Sequence, residues 1–471
     1  MTPDAIVVGS GPNGLTAAIM LARAGLKTVL REAQATIGGG LRSSELTLPG
    51  FTHDVCSAVH PLALSSPVFR TLPLADFGLE WVQPPAALAH PLDGGKAVML
   101  ERSPDATAAA LGAGGRDWLK LHAAFAEAWE ELSGDVLSPP VRFPKHPILM
   151  ARFGLQALRT AVGLARGALH GTEARALFAG NAAHSFLPLE TPGTAAFGLL
   201  LSVAGHAVGW PIARGGSQRL ADALAGYFRS LGGEIQIDAP VERLDEVRGA
   251  RVVILDLTPR QIVRIGGATL PEGYRRALER YRYGAAAFKL DWALDGPVPW
   301  SAPECARAAT VHLGGTLEEV AASEAAPARG EVNDRPFVLL VQPTLFDPSR
   351  APAGKHIAWA YCHVPNGCTM DLTDRIERQV ERFAPGFRDR VLARSVITPA
   401  DFERRNANLV GGDISGGMMD LRQVFARPVP SLTPYRTPLR GVYLCSASTP
   451  PGGGAHGMGG YHAAKAALAR L

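Results

Sequence analysis

The sequence predicts an α/β protein. One parallel-sheet domain is assembled from separated segments, and a second, α+β domain is inserted between them. Three observations carry this. A strand–glycine turn–helix–strand unit opens the chain, and a strand–glycine loop–helix unit closes it, with different material between. At 471 residues the chain also exceeds one ordinary hydrophobic core.

Ile6, Val7 and Val8 form the short apolar run of a buried parallel strand. It enters Gly9-Ser10-Gly11-Pro12-Asn13-Gly14, and a helical pattern follows over 15–23. Gly9 permits the tight turn, Gly11 lets backbone N–H groups approach a pyrophosphate, and Gly14 lets the helix pack on the strand. The positive helix end then faces the phosphates. The next strand, 27–31, ends at Glu32, about 18 residues past Gly14, near the spacing of an acid that binds a ribose hydroxyl. A carboxylate there repels a 2′-phosphate, which argues against NADP. Ile37-Gly38-Gly39-Gly40-Leu41-Arg42 is a second glycine turn behind the acid, and it favours FAD over NAD.

Residues 76–100 read as strands and turns, and 106–132 as helix. Pro139, Pro140, Pro144 and Pro147 interrupt that pattern. One helix is expected over 148–170 and another buried helical region over 173–208. A helix at 220–230 and strands at 235–237 and 252–255 restore the α/β pattern. Mixed strands and loops follow to about 425, with a helix near 373–383. The expected division is 1–75, 206–268 and 425–471 for the cofactor domain, with 76–205 and 269–424 for the substrate domain.

Hydrophobic residues at 47% and charged residues at 19% describe a folded globular chain. With 47 basic and 43 acidic residues, the net charge of +4 is too weak an excess for nucleic-acid binding. The five cysteines, Cys56, Cys305, Cys362, Cys368 and Cys445, never form C-x-x-C. A disulfide framework, a metal site and a dithiol centre are therefore not expected, and a reducing cytoplasm fits. A strand so near the start leaves no expected signal or transit peptide. No apolar run reaches the ~18 residues of a spanning helix.

Near the other end, strand 441–447 leads into Gly452-x-Gly454-x-x-Gly457 and a helix over 458–471. The spacing imitates the first glycine loop. No strand or acid follows to complete a βαβ unit, so a second nucleotide site is rejected. The expectation is instead a loop that covers a flavin, with the helix N-terminus near the ring.

These features resemble the phytoene desaturase-like branch of the amine oxidase flavoprotein superfamily. Within it, the chain is most similar to the bacterial relatives of pyridine nucleotide-disulfide oxidoreductase domain-containing protein 2. The resemblance rests on the 9–15 loop, Glu32 with Gly38-Gly39, Gly50-Phe51-x-x-Asp54, Arg214-Gly215-Gly216-Ser217, His312-Leu313-Gly314-Gly315, Gly411-Gly412-Asp413-Ile414 and the 446–457 tail. It implies a Rossmann-like domain of glutathione-reductase type holding FAD non-covalently. The implied cofactor contacts are Gly9, Ser10, Gly11, Pro12, Asn13, Gly14, Glu32, Ala33, Gly39, Gly40, Leu41, Arg42, Val241, Ser446, Gly454, Gly457 and Met458. Carotenoid desaturases usually carry Gly-Ala-Gly-Thr-His-Pro in the tail. This chain reads Ser446-Ala447-Ser448-Thr449-Pro450-Pro451, which speaks against a carotenoid substrate but not against the flavin.

His60 and His456 are the candidate catalytic residues, His60 as a proton acceptor near neutral pH and His456 because the glycine loop places it near the ring. A structural role is open for each. His184 and Trp210 border the expected substrate wall, with plain core positions as the alternative. Arg152, Arg159 and Arg166 recur every seven residues along 148–170, which suits either an anionic membrane surface or an ordinary solvated face. The expected activity is FAD-dependent oxidation of a small, largely apolar (lipophilic) substrate by hydride transfer to flavin N5. Oxygen, a quinone or another acceptor would re-oxidise the flavin. The rivals are a flavin-dependent isomerase or saturase without net oxidation, and a lipid-binding chaperone on the same fold.

Overall fold

The computed structural model describes residues 3–471. The apolar run at the start becomes the strand Ala5–Val8, at the centre of a five-stranded parallel sheet. Thr28–Arg31 and then Glu234–Gln236 flank it on one side, and Val252–Leu255 and then Val442–Leu444 on the other. The register pairs Ala5 with both Thr28 and Val252, so these three strands end level at Val8, Arg31 and Leu255. Ligands of open parallel sheets bind at such carboxyl ends. The helices Pro12–Arg23, Gln218–Ser230 and Met458–Leu468 cover one face, and Leu15, Leu224 and Ala464 are buried there. Val8, Val253, Ile262 and Leu278 build the core on the opposite face.

A seven-stranded mixed sheet forms the second layer system. Its order is Val391–Ile397, Ala286–Leu294, His356–Val364, Val338–Val341, Ala308–Leu313, Ala86–Leu92 and Lys96–Glu101. Side chains alternate between the faces, apart from irregularities at Ala293/Leu294 and Ala86/Leu88. Phe288, Leu290, Val311, Leu340 and Ala360 face an apolar core with helix Thr373–Phe383. The other face carries Lys289, Asp291, Thr310, His312, Trp359, Tyr361 and His363, because side chains two apart share a face. The helices Thr172–Ala182 and Ala195–Ala207 lie across this polar face with the cluster around Trp118, Phe178 and Trp210.

Two expected boundaries move. Trp81–Val82 pairs with Ile212–Ala213, and Leu79 belongs to the core of the parallel-sheet unit, so the first segment extends past 75. Helix Glu272–Glu279 packs on Pro259–Gly266, with Leu270 and Leu278 in the same core, so the middle segment extends past 268. The expected helix over 148–170 is two helices, Pro147–Ala157 and Ala161–Ala168, set at 97°. The Thr160 hydroxyl accepts the Gly163 N–H and caps the second helix, which forces a new start there. Arg152, Arg159 and Arg166 therefore do not form one stripe. Among the described residues no single helix is long and apolar enough to cross a membrane.

Candidate active site

The 9–14 turn does what its glycines require. A Cβ on Gly14 would lie 2.0 Å from the Gly9 carbonyl oxygen, and Gly9 has φ +99°. Gly11 is the N-cap of helix Pro12–Arg23 and has no side chain of its own to cap it; Asp256 takes the Gly14 N–H, and the remaining first-turn backbone faces the cavity. Gly39 lies against this turn, since its Cβ would meet Gly11 Cα at 3.1 Å. Bare backbone from two separate loops thus converges, which fits a pyrophosphate.

Glu32 ends its strand beside this cradle, buried, with four donors on its carboxylate. Ser10 N–H (3.0 Å) and the Ser10 hydroxyl (2.5 Å) reach Oε2, and Gln34 N–H (2.9 Å) and Arg42 (3.3 Å) reach Oε1. A carboxylate has about four lone-pair sites. Arg42 makes the longest of the four bonds.

Asp256, at the carboxyl end of Val252–Leu255, is a site residue that sequence reasoning missed. Its Oδ2 accepts the Gly14 N–H at 2.9 Å, and burial with Glu32 nearby pushes its pKa up to about 7. With a pKa about 7 the carboxyl is close to half protonated at neutral pH, which weakens its repulsion of a diphosphate. The signal was present, as an acid directly after a buried strand.

One cavity of about 650 Å³ joins this cradle to the space beneath the seven-stranded sheet. Gly9, Ser10, Gly11, Pro12, Asn13, Glu32, Ala33, Gly39, Gly40, Leu41, Arg42, Val241, Ser446 and Gly454 line it, as do His60, His184, Trp210 and His456. Gly14, Gly457 and Met458 do not. The Gly14 N–H is taken by Asp256. Gly457 packs on Thr16 and Phe69, and the Met458 side chain is in the core. The final helix therefore closes against helix Pro12–Arg23, where a Cβ on Gly460 would lie 1.9 Å from the Asn13 carbonyl oxygen.

His60 is buried, and its Nε2 lies 2.8 Å from the Ser217 hydroxyl. That hydroxyl donates to the Ser57 carbonyl, so His60 Nε2–H is the donor and Nδ1 is an unprotonated acceptor without a partner. Burial lowers the His60 pKa to about 4, keeping it neutral. His456 differs. Its Nδ1 accepts the Met458 N–H at 3.1 Å, and the Gly452 and Gly453 carbonyls face the ring. With its hydrogen bonding used to hold the glycine loop, His456 shapes that loop, the structural role left open for it.

His184 Nε2 lies 3.1 Å from His312 Nε2, and its ring meets Trp210 edge-on at 5.7 Å. Burial lowers the His184 pKa to about 3. Thr310, Val341 and Trp359 form a row across three strands of the roof, with Leu339 and Tyr361 in the next row. The Thr310 hydroxyl and Trp359 Nε1–H are buried without partners. The two carboxylates on the cavity wall, Glu32 and Asp256, are both at the dinucleotide end.

Comparison with known proteins agrees with this geometry. A family model for an NAD(P)-binding Rossmann-like domain matches residues 7–72. The rat pyridine nucleotide-disulfide oxidoreductase domain-containing protein 2 is 27% identical, over 98% of this chain and 92% of its own. The lycopene-forming phytoene desaturase of Pseudescherichia vulneris is 27% identical over 52% of this chain and 53% of its own. The solved structure of wild-type putrescine oxidase bound to putrescine superposes with a TM-score of 0.64 at 16% identity, covering 100% of both chains. Taken with the glycine cradle, Glu32 and the cavity they open, these matches support an FAD-type oxidoreductase, similar in sequence to phytoene desaturases and in fold to putrescine oxidase.

Proposed function

We propose that the protein dehydrogenates an organic substrate with a largely apolar body and one oxygen-bearing head. The continuous cavity carries this reading, because it runs from the dinucleotide cradle into a chamber walled by Trp210, Trp359, Tyr361 and Leu339 with no carboxylate. Bound FAD supplies a hydride acceptor at flavin N5. The glycine cradle, Glu32 and Arg42 hold the dinucleotide. The tail residues Gly453 and Gly454 close the same cavity from the far end of the chain. The apolar wall excludes water. Neutral His60, with Nδ1 free, receives a proton at that atom. Trp359 Nε1–H and the Thr310 hydroxyl hold an acceptor oxygen, since unpaired buried polar groups favour a ligand that satisfies them. A cationic amine finds no counter-charge in the chamber.

We read the discontinuous cofactor domain as the glutathione-reductase type, and the electron acceptor as oxygen, a quinone or another soluble carrier. Anaerobic mixing with candidate carbonyl, hydroxyl, carboxylate and amine substrates tests the proposal through bleaching of the flavin band near ~450 nm. Bleaching by oxygen-bearing apolar compounds is the expected result, with a raised KM in Trp359→Phe and Thr310→Val. Bleaching by amines alone would overturn the substrate class. Turnover without any bleaching would favour the isomerase or saturase reading.

A further inference from the structure

We propose that the outward face of residues 141–159 docks on a membrane surface rich in anionic lipid and seats the cavity mouth against it. Twelve large hydrophobic residues are exposed among those described, and five of them fall in this one stretch. They are Val141 (41%), Phe143 (84%), Ile148 (78%), Leu155 (73%) and Leu158 (51%). In helix Pro147–Ala157, Ile148, Arg152 and Leu155 recur at i, i+4 and i+7 and point outward, while Phe153 and Ala157 on the inner side are buried. The apolar stripe that should face a core faces out.

Charge identifies the partner. No Asp or Glu occurs between Asp135 and Glu173, whereas five Lys and Arg do. Asp135 pairs with Arg142 and Glu318 with Arg166, which leaves Lys145, Arg152 and Arg159 exposed without a carboxylate. A second copy docked through a two-fold axis would bring these cations against their own equivalents. An anionic bilayer instead accepts the apolar side chains below its headgroups, while the long Arg and Lys stems carry their charges to the phosphates. The 97° break after Ala157 sets the helix to lie on a surface, not to span it.

The patch adjoins the substrate route. Phe153, within this stretch, and Pro140, just before it, line the cavity. A lipophilic molecule dissolved in the bilayer then reaches the chamber without crossing water. Docking stands apart from the redox reading, because vesicle binding is measured without turnover.

The test is flotation of the full-length flavoprotein with phosphatidylcholine vesicles, with and without phosphatidylserine. At about 1 kcal/mol for each of three unpaired cations, binding should be on the order of 100-fold weaker without the anionic lipid. The triple variant Phe143→Ser/Ile148→Ser/Leu155→Ser should lose binding to both vesicle types. The variant Lys145→Gln/Arg152→Gln/Arg159→Gln should lose the preference for anionic lipid. Failure of the wild type to float with anionic vesicles overturns the proposal, as does unchanged binding by both variants. A wild-type dimer that the serine variant dissociates, without vesicle binding, would assign the face to a second copy.

Discussion

His60 Nε2 and the Ser217 hydroxyl meet at 2.8 Å, and this contact sets the tautomer of the one histidine with a free ring nitrogen beside the cofactor cradle. Ser217 is itself placed by Asp54, which accepts its backbone N–H at 2.8 Å. If Nδ1 receives the substrate proton, His60→Ala should lower the rate of flavin reduction by about 10²- to 10⁴-fold. Because the His60 pKa is about 4, the wild-type rate should be flat above roughly pH 5 and fall below it. Stopped-flow bleaching across pH checks both. A rate unaffected by the substitution would remove His60 from the chemistry.

Gly14 tests the cradle. Its missing side chain leaves room for the Gly9 carbonyl oxygen, which a Cβ would meet at 2.0 Å, backbone against backbone. Gly14→Ala should therefore purify with much less flavin, at least about tenfold weaker in FAD affinity given the close approach this position requires. The ratio of absorbance near ~450 nm to protein absorbance, before and after FAD is added back, reads this directly.

Asp54 and Arg350 form a buried pair at 2.9 Å, and Ser43 and Ser217 donate to the other carboxylate oxygen. The pair ties the 50–54 turn to the segment that follows strand Val338–Val341. Burial alone would raise the Asp54 pKa, yet Arg350 and the hydrogen bonds hold it below the ordinary value. Asp54→Ala leaves the Arg350 charge buried and should cost about 3–5 kcal/mol. Denaturant titration checks this, and a loss under 1 kcal/mol would show that Arg350 finds another partner.

Acid should unfold the protein. Burial lowers the pKa to about 4 for His60, His90, His206, His456 and His462, and to about 3 for His122 and His184. Each imidazole stays neutral in the fold while the unfolded chain takes up a proton. Stability is thus full above about pH 6.5 and lost as pH falls toward 4, by roughly 2 kcal/mol per residue at pH 5. Asp256 has the opposite sign. Its pKa is raised to about 7, so its contribution is lost as pH rises from about 4 to 7. Asp256→Asn should stabilise the protein more at pH 8 than at pH 5. Melting temperatures of both proteins across pH 4.5–8 separate the two effects.

Local rules wrote much of this molecule into its sequence. The first βαβ unit, the Val252–Leu255 strand, the Thr373–Phe383 helix and the cofactor loop follow from glycine placement and apolar period, both set by near neighbours. The alternation Trp359, Tyr361, His363 against Ala358, Ala360, Cys362 is present in the sequence, within the stretch read only as mixed strands and loops. Its meaning was not legible there, because which strand face roofs a cavity depends on pairing with strands from 86–101 and 286–397. Tertiary contacts also decided the roles of single residues. His456 looks reactive in a glycine loop until Met458 N–H occupies its Nδ1. Asp256 looks like an ordinary strand end until the Gly14 amide, 242 positions away, donates to it. The 148–170 pattern reads as one helix until Thr160 caps a second. Periodicity and turn chemistry are properties of a short stretch of chain. Burial, tautomer and charge state belong to whatever the fold brings within hydrogen-bond reach.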